Sequence, residues 1–266
     1  MKWFIILGVL VLIVVFLGFG WGGTRGVAIN VVGSTSIQPF AEMLAQEFNS
    51  QHPDSAVEVQ GGGSTAGVMA VGIGIAEIGM CSRMLTKEEA ETFTAVTIAR
   101  DGLAVVVHPS NPVDSLSLAQ VKSLFEGQVT NWKDVGGLDR PVRIISREEG
   151  SGTREAFTKM VMRKARISRK ALTQESNGSV KELVKNDPCA IGYMSLGLVG
   201  DELKAVRIEG VPAVEAEVQS GHYPLVRPFL FITKGPPVPG AQQFIDFVLS
   251  PLGQRMLAKE GLVGAR

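Results

Sequence analysis

The pattern of apolar and polar positions switches repeatedly between two periods from residue 27 onward. Residues 27–32 (VAINVV) are β-rich and end at Gly33. Residues 36–49 then place Ile37, Phe40, Ala41, Leu44 and Phe48 on one helical face. Residues 57–60 (VEVQ) predict a second short strand, stopped by Gly61, Gly62 and Gly63, after which Val68, Val71 and Ile75 resume helical spacing. Residues 103–107 (LAVVV) predict a wholly apolar strand halted at His108 and Pro109. Leu118, Val121 and Phe125 mark the next helix, with Ser117 as its cap. Residues 142–145 (VRII) predict a strand, and Phe157, Met160 and Val161 a helix behind it. Residues 190–194 and 225–233 read as extended, and Phe244, Phe247 and Val248 place a helix near the C-terminus. Strands alternating with helices in this way imply an α/β fold with largely parallel sheets.

A different pattern comes first. No charge falls between Lys2 and Arg25, and residues 3–19 (WFIILGVLVLIVVFLGF) are almost wholly apolar. A core helix ordinarily keeps one polar face, whereas roughly 17 or more apolar residues suffice to span a bilayer. A cleaved signal peptide should close on small residues of A-x-A type. The GFGWGG at this end fits that poorly, and no Cys follows it for a lipid anchor. The expectation is a membrane anchor in preference to a cleaved signal peptide, with residues 1–26 set apart from the rest. In both cases the remainder is exported, to the periplasm or the outer face of the cytoplasmic membrane, with Lys2 on the cytoplasmic side.

Composition removes several function classes. The 266 residues carry 26 Lys+Arg against 26 Asp+Glu, so the basic excess of a general nucleic-acid binder is missing. Cys81 and Cys189 cannot make a disulfide-dense scaffold and lack metal-ligand spacing; two free thiols are expected. His52, His108 and His222 fall in turns or loops, and no H-E-x-x-H, G-x-S-x-G or G-x-x-x-x-G-K-[ST] run occurs. Neither a catalytic residue, a metal nor a cofactor is implied.

Three strand-to-helix junctions share one chemistry. They read Gly33-Ser34-Thr35-Ser36, Gly61-Gly62-Gly63-Ser64-Thr65 and Gly150-Ser151-Gly152-Thr153, the last with Arg147 just upstream. Glycine lets a backbone approach a ligand, hydroxyls donate hydrogen bonds, and each helix start adds unpaired N–H groups and a positive dipole end. A structural cap explains any single one of them. Three at the C-terminal ends of strands, where open α/β sheets bind ligands, instead suggest a site for a small tetrahedral oxyanion. Arg147 would supply the charge as a planar fork, with Glu149 as a candidate to orient it.

At this point the sequence resembles the PstS family, the phosphate-binding proteins of phosphate ABC transporters. The run LAQVKSLFEGQVTNWKDVGGLDRPVRIISREEGSGTREAF (118–157) carries the likeness most specifically. VVGSTSIQPF, QGGGSTAGV, IGMCSRML and CAIGYMSLG are similar too, in the same order. The resemblance implies a two-lobed periplasmic binding protein of type II. Each lobe would be a mostly parallel sheet flanked by helices, with two crossover strands as the hinge. It places lobe one at 27–107 plus 223–266 and lobe two at 108–222. Carried over residue by residue, the family's phosphate ligands match Thr35, Ser36, Ser64, Arg147, Ser151, Gly152 and Thr153. Ser34 is an alternative to Ser36, because the GSTS run permits either register.

One position departs from the family. Its best-known members carry an Asp after the strand that here reads AEIGMCSRML, to accept the proton of hydrogen phosphate and repel sulfate; here Ser82 stands there, followed by Arg83. Ser82 can donate to an anion oxygen, so weaker rejection of sulfate is expected. Ser176-Asn177-Gly178-Ser179 is a fourth polar helix start, on lobe two; lining the cleft is one reading of it, and an ordinary cap is the simpler one. The family's function, carried over, is capture of inorganic phosphate by a monomer and delivery to an ABC transporter permease. Another oxyanion (sulfate, arsenate or molybdate) and a membrane-tethered phosphate sensor are the alternatives.

Overall fold

The computed structural model describes residues 27–265; the apolar segment at 3–19, expected to be an anchor or signal peptide, lies outside them. In chain order the first part comprises β1 (Val27–Gly33), α1 (Gln38–Gln51), β2 (Ser55–Gly61), α2 (Ser64–Gly72), β3 (Ile78–Cys81) and α3 (Lys87–Thr92). The long β4 (Thr94–Val107) follows, then β5 (Ser115–Leu116), α4 (Leu118–Glu126), β6 (Arg143–Arg147), α5 (Gly152–Phe157), β7 (Leu172–Gln174), α6 (Asn177–Lys185) and β8 (Ala190–Ser195). The chain closes with β9 (Lys204–Ala205), β10 (Arg207–Ile208), α7 (Glu215–Ser220), β11 (Val226–Thr233), α8 (Pro239–Leu249), α9 (Pro251–Lys259) and β12 (Val263–Gly264).

One mixed sheet runs β2-β1-β3-β11-β4-β8-β6-β7. Its two ends are parallel: β1 pairs with β2 and β3, and β6 with β7 and β8. The middle is antiparallel, with β11 against β3 and β4, and β4 against β8. The two apolar runs at 103–107 and 225–233 thus become the central strands. β4 is much longer than its apolar run suggested, because its first half pairs with β11 and its second half with β8.

Two large apolar cores divide along these central strands. One gathers Ile29, Phe40, Leu44, Phe48, Ala99, Phe229 and Phe244. The other gathers Leu103, Val105, Phe125, Trp132, Phe157, Tyr193 and Leu225. The division falls between Ala99 and Leu103 on β4 and between Val226 and Phe229 on β11. Local signals act as the sequence suggested at most elements. The α1 face of Ile37, Phe40, Ala41, Leu44 and Phe48 is buried throughout. Ser117 caps α4 in a reciprocal capping box with Gln120. Ile75, expected on the α2 face, lies beyond that helix and is exposed. The expected helix through Phe157, Met160 and Val161 is a short α-turn followed by a π-helical turn at Thr158–Met162. The TNW run is structural: Asn131 caps the turn, and buried Trp132 donates its indole N–H to the Cys189 carbonyl at 3.0 Å. Both cysteines are unbridged; Cys81 is buried, and burial pushes its thiol pKa up.

Candidate functional site

The three Ser/Thr junctions meet at the same edge of the sheet. Two of them do not serve as caps. The residue before α1 is Ile37 and that before α2 is Gly63, neither giving a side-chain cap. Their hydroxyls reach across space instead. Ser36 Oγ lies 2.7 Å from Thr153 Oγ1, although 117 residues separate them. Ser64 Oγ accepts the Ser82 amide at 3.0 Å and lies 3.4 Å from Ser82 Oγ. Ser34 Oγ donates to Ser82 Oγ at 2.8 Å and accepts the Ser36 amide at 3.2 Å. Ser36 therefore reaches Thr153 directly, and Ser34 stands one step behind it. Ser151 is a true cap: its Oγ accepts the Arg154 amide. Ser36, Ser64, Ser82, Ser151 and Thr153 are all buried, while Thr35 is half-buried.

Glycine is required where these junctions touch. A Cβ on Gly152 would collide with Ser64 Oγ and stand 2.7 Å from Ser82 Oγ. Gly63, at φ 91°, packs its Cα side against the Gly150 carbonyl, and Thr65 donates its amide to that carbonyl at 3.1 Å. The amides of Thr35, Ser64, Gly152 and Thr153 lie at or beside helix starts, where no preceding turn of helix accepts them.

Arg147 ends β6 with only 1 % of its surface exposed. Its partner is Glu148, not the expected Glu149: Nε and Nη2 each donate to the Glu148 carboxylate at 2.9 Å, and Glu149 points to solvent. Nη2 also reaches Thr35 Oγ1 at 3.1 Å. The third nitrogen, Nη1, is buried with no hydrogen-bond partner. A buried charged donor left unmet is costly, and it identifies the point where an anion would be welcomed. Tyr193 fixes the strand end by accepting the Arg147 amide at 3.2 Å, and its ring stacks on Phe157 at 4.1 Å.

Three residues absent from the expected ligand set belong to the same cluster. Arg227 on β11 and Asp101 on β4 are directly opposite in the ladder. Arg227 Nε and Nη2 reach Asp101 Oδ2, both at 2.9 Å, and Ser195 Oγ donates to the other carboxylate oxygen at 2.8 Å. Arg227 then donates to Thr153 Oγ1 at 2.8 Å, to Ser36 Oγ at 3.1 Å and to the Ser82 carbonyl at 3.2 Å. Burial pushes the Asp101 carboxyl pKa up and the Arg227 guanidinium pKa down, each shift opposed by the partner's charge. Asn177, read as part of an ordinary cap, donates to Ser36 Oγ at 2.9 Å and to Thr35 Oγ1 at 3.4 Å, while Ser176 does the capping. Charges set inside the central strands, Arg100 and Asp101 in β4 and Arg227 in β11, were the available signal for Asp101 and Arg227. Nothing local distinguished Asn177.

Arg83 turns away from the hydroxyls. It grips Glu89 and, across the two halves of the molecule, Glu155 at 2.7 Å. Its hydrogen bond with Glu89 raises the arginine's pKa and lowers that of Glu89. Beside it runs an open groove of about 1210 Å³, lined in part by Arg154, Lys159, Arg166, Arg169 and Arg227.

A mixed sheet with two central strands, and glycine-hydroxyl turns gathered around a buried arginine, describes a solute-binding protein for a small anion. The PBP superfamily domain model matches residues 22–251. The phosphate-binding protein PstS of Bacillus subtilis is 31% identical over 227 residues, covering 84% of this chain and 75% of that protein. A candidate phosphate ABC transporter substrate-binding protein from Clostridium perfringens, solved with bound phosphate, superposes with a TM-score of 0.87 at 38% identity, covering 90% of this chain and 100% of the other. An ABC-type phosphate transport receptor from Vibrio cholerae gives 0.76 at 36% identity, covering 88% and 99%. The chain belongs to the PstS family within the PBP superfamily, which is a family of solute-binding proteins and not of enzymes.

Proposed function

We propose that the protein binds inorganic phosphate outside the cytoplasmic membrane and delivers it, chemically unchanged, to an ABC transporter permease. The observation that carries this reading is the unmet Nη1 of buried Arg147, whose Nη2 reaches Thr35, together with the buried hydroxyls of Ser36, Ser64, Ser82 and Thr153. Ser151 and Gly152 complete the set through the start of α5. The relatives' names supply the ligand's identity: a PstS, a protein solved with bound phosphate and a phosphate transport receptor.

The two cores act as lobes, 27–107 plus 223–266 and 108–222, hinged where β4 and β11 pass between them. The contacts that cross from lobe to lobe then include Ser36 to Thr153, Arg147 to Thr35, Asn177 to Ser36, Arg227 to Thr153, Thr65 to Gly150 and Arg83 to Glu155. Closing removes water from around the anion and strengthens each hydrogen bond. Opening at the permease breaks contacts of this set together and releases the anion.

Isothermal titration of phosphate into the full-length chain in mild detergent tests the reading. Binding is expected, and Arg147→Gln should weaken it by about a hundredfold or more while leaving the thermal unfolding midpoint above the assay temperature. Undiminished binding by the variant would contradict it.

A further inference from the structure

The cluster's hydrogen bonds have a direction, and it can be counted. A hydroxyl has one proton to give and two lone pairs to receive with; arginine only gives. Asn177 Oδ1 accepts the Ser195 amide at 3.1 Å, so its carbonyl faces Ser195 and its NH2 faces the hydroxyls. Ser36 Oγ then receives from Asn177 Nδ2 and Arg227 Nη2, which fills both lone pairs. Its proton goes on to Thr153 Oγ1, which also receives Arg227 Nη1. The Thr153 proton is left to point outward. Thr35 Oγ1 is filled by Arg147 Nη2 and Asn177 Nδ2, so its proton also points outward. On the other branch Ser34 gives to Ser82, which also lies 3.4 Å from Arg227 Nη1. Ser82 gives to Ser64, whose remaining lone pair holds the Ser82 amide. Each branch ends in an outward O–H.

We infer that Arg227 and Asn177 are positioning residues that turn the hydroxyl cluster into a set of donors, so that the site reads its anion by acceptor oxygens and not by a proton. The inference rests on the phosphate reading and deepens it. The site would then admit tetrahedral dianions of the sulfate class as well as phosphate. The charged groups around the cluster fit this role. Asp101 is spent on Arg227 and Ser195, Glu148 on Arg147, and Glu155 on Arg83. Arg154 donates to the Arg147 carbonyl. No carboxylate among the described residues touches the hydroxyls of Ser36, Thr153, Ser64 or Ser82.

Asn177→Asp tests this in the full-length chain. The new side chain keeps an acceptor for the Ser195 amide and replaces the donor with a second acceptor. Ser36 and Thr35 must then give their protons to it, and their freed lone pairs can accept from the ligand. Phosphate and sulfate are titrated well above the second ionisation of phosphate. Both are then dianions, and the variant's added charge penalises them alike, so that penalty cancels in their affinity ratio. Sulfate is expected to compete with phosphate in the unaltered protein. In the variant the ratio should move toward phosphate by about tenfold, the worth of one hydrogen bond made in place of one unmet. The paired change Asp101→Asn with Arg227→Met removes the other donor without stranding a buried charge, and should move the ratio the same way.

A merely structural role would weaken both anions by one factor, and an unmoved ratio in folded Asn177→Asp overturns the inference. Outright rejection of sulfate by the unaltered protein also overturns it, with the phosphate reading intact. Failure of the unaltered protein to bind phosphate removes that reading, and this inference with it.

Discussion

Arg147 and Arg227 are both buried, and both are paired with a carboxylate, yet they are held in opposite ways. Arg147 leans on Glu148, its chain neighbour, which is itself a quarter exposed, and keeps one nitrogen unmet. Arg227 faces Asp101 across a central ladder, where both side chains are essentially inaccessible, and each of its nitrogens donates. The first arginine has capacity left for a ligand. The second has none, and spends its donors arranging the hydroxyls around that ligand. On the proposed reading, one site thus holds a cation that binds and a cation that positions, and burial alone does not distinguish them.

The largest effect expected from this contrast is on stability. Asp101→Ala strands a buried guanidinium and should cost about 3–5 kcal/mol. Glu148→Gln removes a partly exposed partner and should cost about 1 kcal/mol or less. Chemical denaturation of the two variants, compared with the unaltered chain, checks the difference; equal costs would erase it. Next in size, Arg147→Gln should weaken phosphate by about a hundredfold or more, since charge-assisted bonds are worth about twice neutral ones. Gly152→Ala comes after it, because its methyl group has to displace Ser64 Oγ. Titration calorimetry should find phosphate affinity lowered by about tenfold or more, through loss of a donor, and unchanged affinity would mean the junctions do not meet as described.

The smallest effect concerns acid. Hydrogen bonding by Arg83 lowers the folded-state pKa of Glu89 below its unfolded value. The pair's stabilisation is therefore complete above the unfolded pKa and is lost as pH falls through the folded one. Glu89→Gln should flatten the stability profile only in that acidic window, as read by thermal melts at stepped pH. A change confined to neutral pH would contradict the assignment.

What was legible in the sequence followed from local rules. Apolar periodicity located α1, β4 and β11, and the Ser117 capping box marked α4, because each is decided by neighbours in the chain. The Ser/Thr junctions were legible as chemistry for the same reason. The positions that misled are those whose partners lie far off. Glu148 and Glu149 are indistinguishable in the chain, and only the turn after β6 decides which one returns to Arg147. Asn177 sits beside a genuine cap at Ser176 and resembles part of it, while its amide bonds residues 141 and 142 positions away. Arg227 gained its meaning only when β11 was laid against β4. Thr158–Met162 kept helical periodicity in its apolar residues and still wound as a π-turn, since the spacing does not fix the hydrogen-bond register.

The most direct test of the account is a crystal structure of the protein with phosphate. The phosphorus is expected at the hydroxyl cluster, with Arg147 Nη1 and the hydroxyls of Thr35, Ser64 and Thr153 on its oxygens, and Arg227 still bound to Asp101. Phosphate lodged instead in the basic groove beside Arg166 and Arg169, with the Arg147 nitrogen still unmet, would contradict the account.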